Sequence, residues 1–159
     1  MFTCFQMIRL KCINRQFEGM RLHGVPFERK VLHIHGLEAE GVFPVFQGIK
    51  VELLADVDTL YHQLGNTDQA FYGGTMREAT KVLKDVLRRT PSLSTQFSAQ
   101  QLADIEQEKG QITGKVWHHF EELTADGRPI MQLVDREPHQ KCKHTGGSYT
   151  WHPKHFLSM

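Results

Sequence analysis

The chain has 159 residues, enough for one domain of ordinary size with a core that needs no covalent staples. Lysine plus arginine (19) nearly balances aspartate plus glutamate (18), giving a net charge of +1, so the global basic excess common in nucleic-acid binders is absent and any such surface has to be local. The three cysteines, Cys4, Cys12 and Cys142, contain no CxxC pair, which argues against a disulfide framework and a zinc knuckle, and no apolar run reaches the ~18–20 residues of a membrane span.

Residues 1–20 are poorly patterned. "MFTCFQMIRLKC" is apolar but lacks the positive, apolar, small-residue order of a signal peptide, and it reads as the upstream margin of a larger chain. Residues 23–46 read as turns and short strands: Val31, His33 and His35 alternate with Leu32 and Ile34, and Gly36 and Gly41 bracket a hairpin loop. His33 and His35 then belong to the polar face of a strand. "IKVELL" (49–54) is a further strand.

A helix is expected over 75–91, where Ala79, Val82, Leu83, Val86 and Leu87 form one apolar stripe, Arg88 and Arg89 suit the negative end of the helix dipole, and Pro91 stops it. A shorter helix follows. Ser98 and Gln101 have the form of a capping box, and Gly110 ends the segment. Two helices thus separate the early strands from the C-terminal end, which gives an α+β fold.

Six of the ten histidines lie between 118 and 159, and such clustering points to metal or proton chemistry there. "KVWHHFEEL" is β-prone, Asp126-Gly127 is a hairpin turn, "RPIMQLV" returns, and Asp135 caps a helix with Pro138 in its first turn. This helix is expected to end near "HTGG", with Gly146 or Gly147 in the left-handed conformation. The unit is ββα, spanning about 115–147. His118 and His119 are neighbours on a strand, so their side chains look to opposite faces. His139 and His144 are five residues apart, about 140° around an ideal helix, and can converge only if the helix unwinds between them. Trp117 is expected in the core and Cys142 as a buried free thiol.

The run "WHHFEEL…MQLVDREPHQKCKHTGG" resembles the WHH branch of the HNH/endonuclease VII nuclease superfamily, the ββα-metal fold, and "HGVPFERK" and "EGVFPVF" resemble segments upstream of it in C-terminal modules of bacterial polymorphic toxins. One departure is Phe120, at a position where a third histidine is common. The resemblance implies a single nuclease domain over 21–159, made of an N-terminal part of short strands and two helices and the C-terminal ββα-metal unit. It implies His118, His139 and His144 as ligands of one divalent ion (Zn²⁺, Ni²⁺, Co²⁺, Mg²⁺ or Mn²⁺) and His119 as general base. Glu121 or Glu122 is a candidate to orient a histidine, and Lys141 and Lys143 are candidate phosphate contacts or simply a solvated helix face. The expected activity is a metal-dependent endonuclease, a DNase of low sequence specificity made in the bacterial cytoplasm and delivered as a toxin, with double-stranded DNA and a cognate immunity protein as partners. An RNase of the same fold and a non-catalytic, zinc-stabilised binding domain are the alternatives. Because the ββα unit carries few cations, Arg88 and Arg89 are the first residues expected to supplement DNA binding.

Overall fold

The computed structural model describes residues 8–9, 14–34, 36–65, 67–144, 147 and 151; Cys4, Cys12, His35, Gly146, His152 and His155 lie outside them. Strands β1 (Ile8–Arg9), β2 (Arg21–Leu22), β3 (Val25–Ile34) and β4 (Leu37–Pro44) form one sheet in the order β1-β4-β3-β2, antiparallel except for the parallel β1–β4 pair. Strands β5 (Ile49–Glu52), β6 (Lys115–Leu123) and β7 (Pro129–Asp135) form an antiparallel sheet in the order β5-β7-β6. Helices α1 (Val57–Leu64), α2 (Asp68–Arg89) and α3 (Ala99–Glu106) lie between β5 and β6 in the chain, and α4 (Arg136–Lys141) follows β7. The fold is α+β, as the sequence led one to expect, with a C-terminal ββα unit built from β6, β7 and α4.

The "IKVELL" strand pairs with β7, so the ββα unit is extended by a strand from the first third of the chain. The largest core lies between this sheet and α1–α3: Val51, Leu53, Phe71, Ala79, Leu83, Ile105, Trp117, Met131 and Leu133 are all buried there. Trp117 is 1% exposed and donates Nε1–H to Thr80 Oγ1 at 3.0 Å, which satisfies the one polar atom of a core tryptophan. Cys142 is a buried free thiol.

Three expectations need correction. Gly41 does not bracket the hairpin: it sits inside β4 opposite Lys30, and a Cβ there would come within 2.8 Å of the Phe43 ring. The turn lies between β3 and β4 at Gly36, whose φ of +74° is in the left-handed region. His33 is exposed and faces Glu38 across this turn. Second, among the described residues three α-helices precede β6, and α2 begins at Asp68 rather than at Thr75. Gly73-Gly74 reads as a break in sequence, yet Gly74 is where α1 crosses α2, and a Cβ there would lie 2.8 Å from two carbons of Leu64. Thr67 caps this earlier start by accepting from Ala70 N at 3.2 Å. Third, α4 stops at Lys141, short of "HTGG". Gly147 is not a left-handed cap: its backbone is helical and buried, and a Cβ there would fall 1.9 Å from the Phe120 carbonyl oxygen. Glycine allows the backbone of residue 147 to lie directly on β6. Gly147→Ala is expected to force it off β6, with a thermal melt showing a loss of roughly 1–3 kcal/mol, the range for overpacking; a melt unchanged from wild type would refute the close approach.

Candidate active site

β6 divides its two histidines as the pleat requires. His118 is opposite Gln132 and His119 opposite Met131 in the β6–β7 register, which becomes irregular between His119 and Leu123. His118 meets His139 and His144, at ring-centroid distances of 5.4 and 4.9 Å. His139 and His144 are 4.8 Å apart. One nitrogen from each of the three rings lies within 4.8 Å of the others. The five-residue spacing is accommodated because α4 ends between them, with Cys142 at φ −103°, ψ 93° breaking the helix.

Phe46, just after β4, is a residue that sequence reasoning missed. Its ring packs on all three imidazoles, at 5.0, 5.3 and 5.4 Å from His118, His139 and His144. Its placement depends on the "MQLV" strand: Gln132 is 3% exposed, and its Nε2 donates to the Phe46 carbonyl at 2.8 Å and to Gly48 O at 3.4 Å. Gln132 thus ties the β4–β5 connection against the histidines.

His119 points the other way, toward α2. It is 6% exposed, its Nε2 lies 2.8 Å from Thr75 Oγ1, and its ring meets the Tyr72 edge at 4.9 Å and Trp151 at 5.5 Å. Both faces of β6 nevertheless open on one cleft of about 300 Å³, lined by Tyr72, Met76 and all four histidines.

Glu121 comes three residues after His118, within the irregular stretch of β6, and is buried at 1% exposure. Its Oε2 lies 3.6 Å from His118 Nε2, and Lys30 of β3 pairs with its other oxygen. Burial alone would push this carboxyl up, but His118 and Lys30 outweigh it and hold the carboxyl below its ordinary value. Glu122 is less buried and the structure gives it no part in the cluster. Lys30 also lies 4.5 Å over the Phe120 ring, and Lys50 lies 3.9 Å over it, so the position that departs from the WHH pattern carries two cations instead. Lys141 is exposed and pairs with Glu137 on its own helix. Lys143 has an exposed side chain, and its carbonyl accepts from Asn14 Nδ2 at 2.6 Å.

The donor set fits a divalent cation. Both ring nitrogens of His118 are buried; Nδ1 has no hydrogen-bond partner, and Nε2 has only the Glu121 carboxylate, at 3.6 Å and beyond ordinary hydrogen-bond length. Such orphans are rare in native interiors and ask for an explanation, such as an ion. His144 Nδ1 donates to the Cys142 carbonyl at 2.7 Å, so its lone pair is on Nε2, and this kind of backbone contact fixes a metal-binding tautomer. Cys142 is not a member of the group; its Sγ lies 3.7 Å from Leu22 O. Three protein ligands with no fourth among the described residues is the pattern of an open site rather than a closed structural one.

Three of these imidazoles, His119, His139 and His144, are held neutral. Burial, helped by His118 and His139, pushes His119 down to about 3. Burial, helped by His144 and His118, pushes His139 down to about 4, and burial also lowers His144. The unfolded chain protonates these groups near 6.5, so below that pH it takes up protons that the folded chain refuses. Stability of the metal-free protein is therefore expected to be flat above about pH 7 and to fall as the pH drops below the ordinary histidine value of about 6.5. Thermal melts in chelator between pH 5 and 8 check this; a melting temperature that does not fall below pH 6 would contradict it.

No curated protein and no solved structure matches the chain. One family model does: the Colicin-DNase family, described as the DNase/tRNase domain of colicin-like bacteriocin, matches residues 35–146, a span that includes β6, β7, α4 and all four histidines of the cleft. The match covers more than half of the chain, which therefore belongs to the Colicin-DNase family, as a nuclease domain of the bacteriocin toxin type.

Proposed function

We propose that the chain is a metal-dependent endonuclease of the HNH type with the WHH motif, and that it hydrolyses double-stranded DNA with little sequence preference. The observation that carries this reading is His118, buried at the meeting point of three imidazoles with Nδ1 unpartnered and Nε2 facing only the Glu121 carboxylate at 3.6 Å. An unsatisfied buried polar group costs about 1–3 kcal/mol, a cost that a bound cation removes. His118, His139 and His144 would hold one ion; three neutral imidazoles suit Zn²⁺, Ni²⁺ or Co²⁺ better than Mg²⁺, although a weakly held Mg²⁺ or Mn²⁺ can be the working ion. When bound, the ion supplies the Lewis acidity that neutralises charge on the phosphate and on the leaving oxygen.

The remaining chemistry belongs to the chain. His119 lies at the cleft and takes the proton of the attacking water, a role that requires the entering phosphate's negative charge to raise its pKa from about 3 toward neutrality. Glu121, anchored by Lys30, orients His118. Lys141 and Lys143 are proposed to meet phosphates flanking the scissile one; contacts of that kind carry register and affinity but little sequence information. The partners proposed are DNA and a cognate immunity protein, and the domain, taken as one unit over 21–159, is proposed to be delivered into target cells. Among the described residues no helix is long and apolar enough to cross a membrane.

Arg88 and Arg89 lose their place in this reading. They are thirteen and fourteen residues along α2 from Thr75, about 20 Å at 1.5 Å per residue. Arg88 is paired with Glu106 and Arg89 with Asp85. The double replacement Arg88→Ala, Arg89→Ala is expected to leave the salt dependence of cleavage unchanged; a slope smaller by about 2 would return both residues to the DNA interface.

The decisive assay is chelator-treated protein resupplied with Mg²⁺, Mn²⁺, Ni²⁺ or Zn²⁺, incubated with plasmid and with RNA over a salt series. Nicking and then linearisation of plasmid, abolished by chelator and weakened by salt, is the expected result. Degradation of RNA with the plasmid left supercoiled under every metal would replace the DNase reading by the RNase one. Cleavage of neither would favour a zinc-stabilised binding domain.

A further inference from the structure

We propose that Thr75 is a positioning residue: its hydroxyl fixes His119 as the Nε2–H tautomer, which leaves Nδ1 as the nitrogen that accepts the proton of the attacking water. This inference rests on the reading of His119 as the general base.

Hydrogen-bond bookkeeping at one oxygen carries it. Thr75 is fully buried on α2. Its Oγ1 lies 2.9 Å from the Phe71 carbonyl oxygen, 3.0 Å from that of Tyr72 and 2.8 Å from His119 Nε2. A hydroxyl has one hydrogen and two lone pairs, whereas a carbonyl oxygen can only accept. If Thr75 donated to Nε2, its lone pairs would face two carbonyl oxygens at close range. If instead it donates back to the helix carbonyls, as threonine commonly does, a lone pair faces Nε2. Only the second arrangement sets no lone pair against another, and in it Nε2 must carry the hydrogen. In a neutral imidazole the other nitrogen, Nδ1, then holds the lone pair. With Nε2 turned to α2, Nδ1 is the nitrogen left for the cleft that His119 shares with His118, His139 and His144. Tyr72 and Trp151, packed on the ring at 4.9 and 5.5 Å, fix its plane, so one hydroxyl is enough to choose the tautomer.

Valine at this position keeps the shape and removes the acceptor. The Nε2–H would then be buried without a partner, and the imidazole would move its hydrogen to Nδ1, where it blocks proton acceptance. Thr75→Val is expected to lower kcat on plasmid by ~10–100-fold, the usual range for losing a residue that orients a catalytic group, with KM unchanged. Thr75→Ser restores the hydroxyl and should recover most of kcat.

The test is long-range ¹H–¹⁵N NMR on zinc-loaded full chain labelled at histidine, with kcat and KM for the same proteins. Wild type and Thr75→Ser are expected to show His119 protonated at Nε2, and Thr75→Val at Nδ1. A wild-type His119 protonated at Nδ1, or a Thr75→Val protein with wild-type kcat, overturns the proposal. Should the valine variant not fold, the wild-type spectrum decides alone. The two readings fail separately: wild-type protein that cuts no nucleic acid, or a His119→Ala variant that cuts normally, sinks the function of the base, whereas the spectrum reports the tautomer either way.

Discussion

Replacement of His119 by alanine is expected to lower phosphodiester cleavage by ~10²–10⁴-fold, the usual cost of losing a general base. The reason is the division of labour across β6. His118 faces the other two imidazoles and Phe46, while His119 has Thr75, Tyr72 and Trp151 around it and lies outside the group of three. Its loss should therefore spare metal affinity. It also removes a buried group whose nitrogen is hydrogen-bonded, so some stability should go with it, and circular dichroism and a zinc titration must accompany the rate measurement. A variant that still folds, binds metal as wild type and cuts at the wild-type rate would place the base elsewhere.

Replacement of His118 by alanine should act on a different quantity. Wild-type protein is expected to gain thermal stability when metal is added, by about 2.7 kcal/mol at one hundred times Kd, because the ion binds the folded chain and not the unfolded one. His118→Ala removes the most buried of the three ligands. The metal-induced rise in melting temperature should disappear and cleavage should fall to background with each of the four metals. A metal-dependent melting shift equal to that of wild type would show that the ion is held by other residues.

What the sequence disclosed followed from how local each signal was. The Ser98–Gln101 capping box is formed by both of its hydrogen bonds. Asp135 stands at the N-cap of α4, although its carboxylate accepts from Lys115 rather than from the helix. The five-residue gap between His139 and His144 required a helix that stops between them, and α4 does. The parts that stayed hidden depend on contacts distant in the chain. Gly73-Gly74 looks like a helix break until Leu64 is seen against it. Phe46 reaches the three imidazoles through Gln132, 86 residues away, and Lys30 reaches Glu121 across 91. Neither leaves a periodic or spacing mark. Thr75 left a faint one. It lies four residues before Ala79 and eight before Leu83, on the apolar stripe of α2, and a polar residue on a buried stripe is the kind of exception that asks for a partner.

A crystal grown with Ni²⁺ or Zn²⁺ and read by anomalous scattering would test the metal site most directly. One ion is expected, bonded to a nitrogen of each of His118, His139 and His144 at about 2.0–2.1 Å, with at least one coordination position not filled by protein. An ion bound elsewhere, or a site closed by a fourth protein ligand such as Cys142, would contradict a catalytic centre here and favour a structural one.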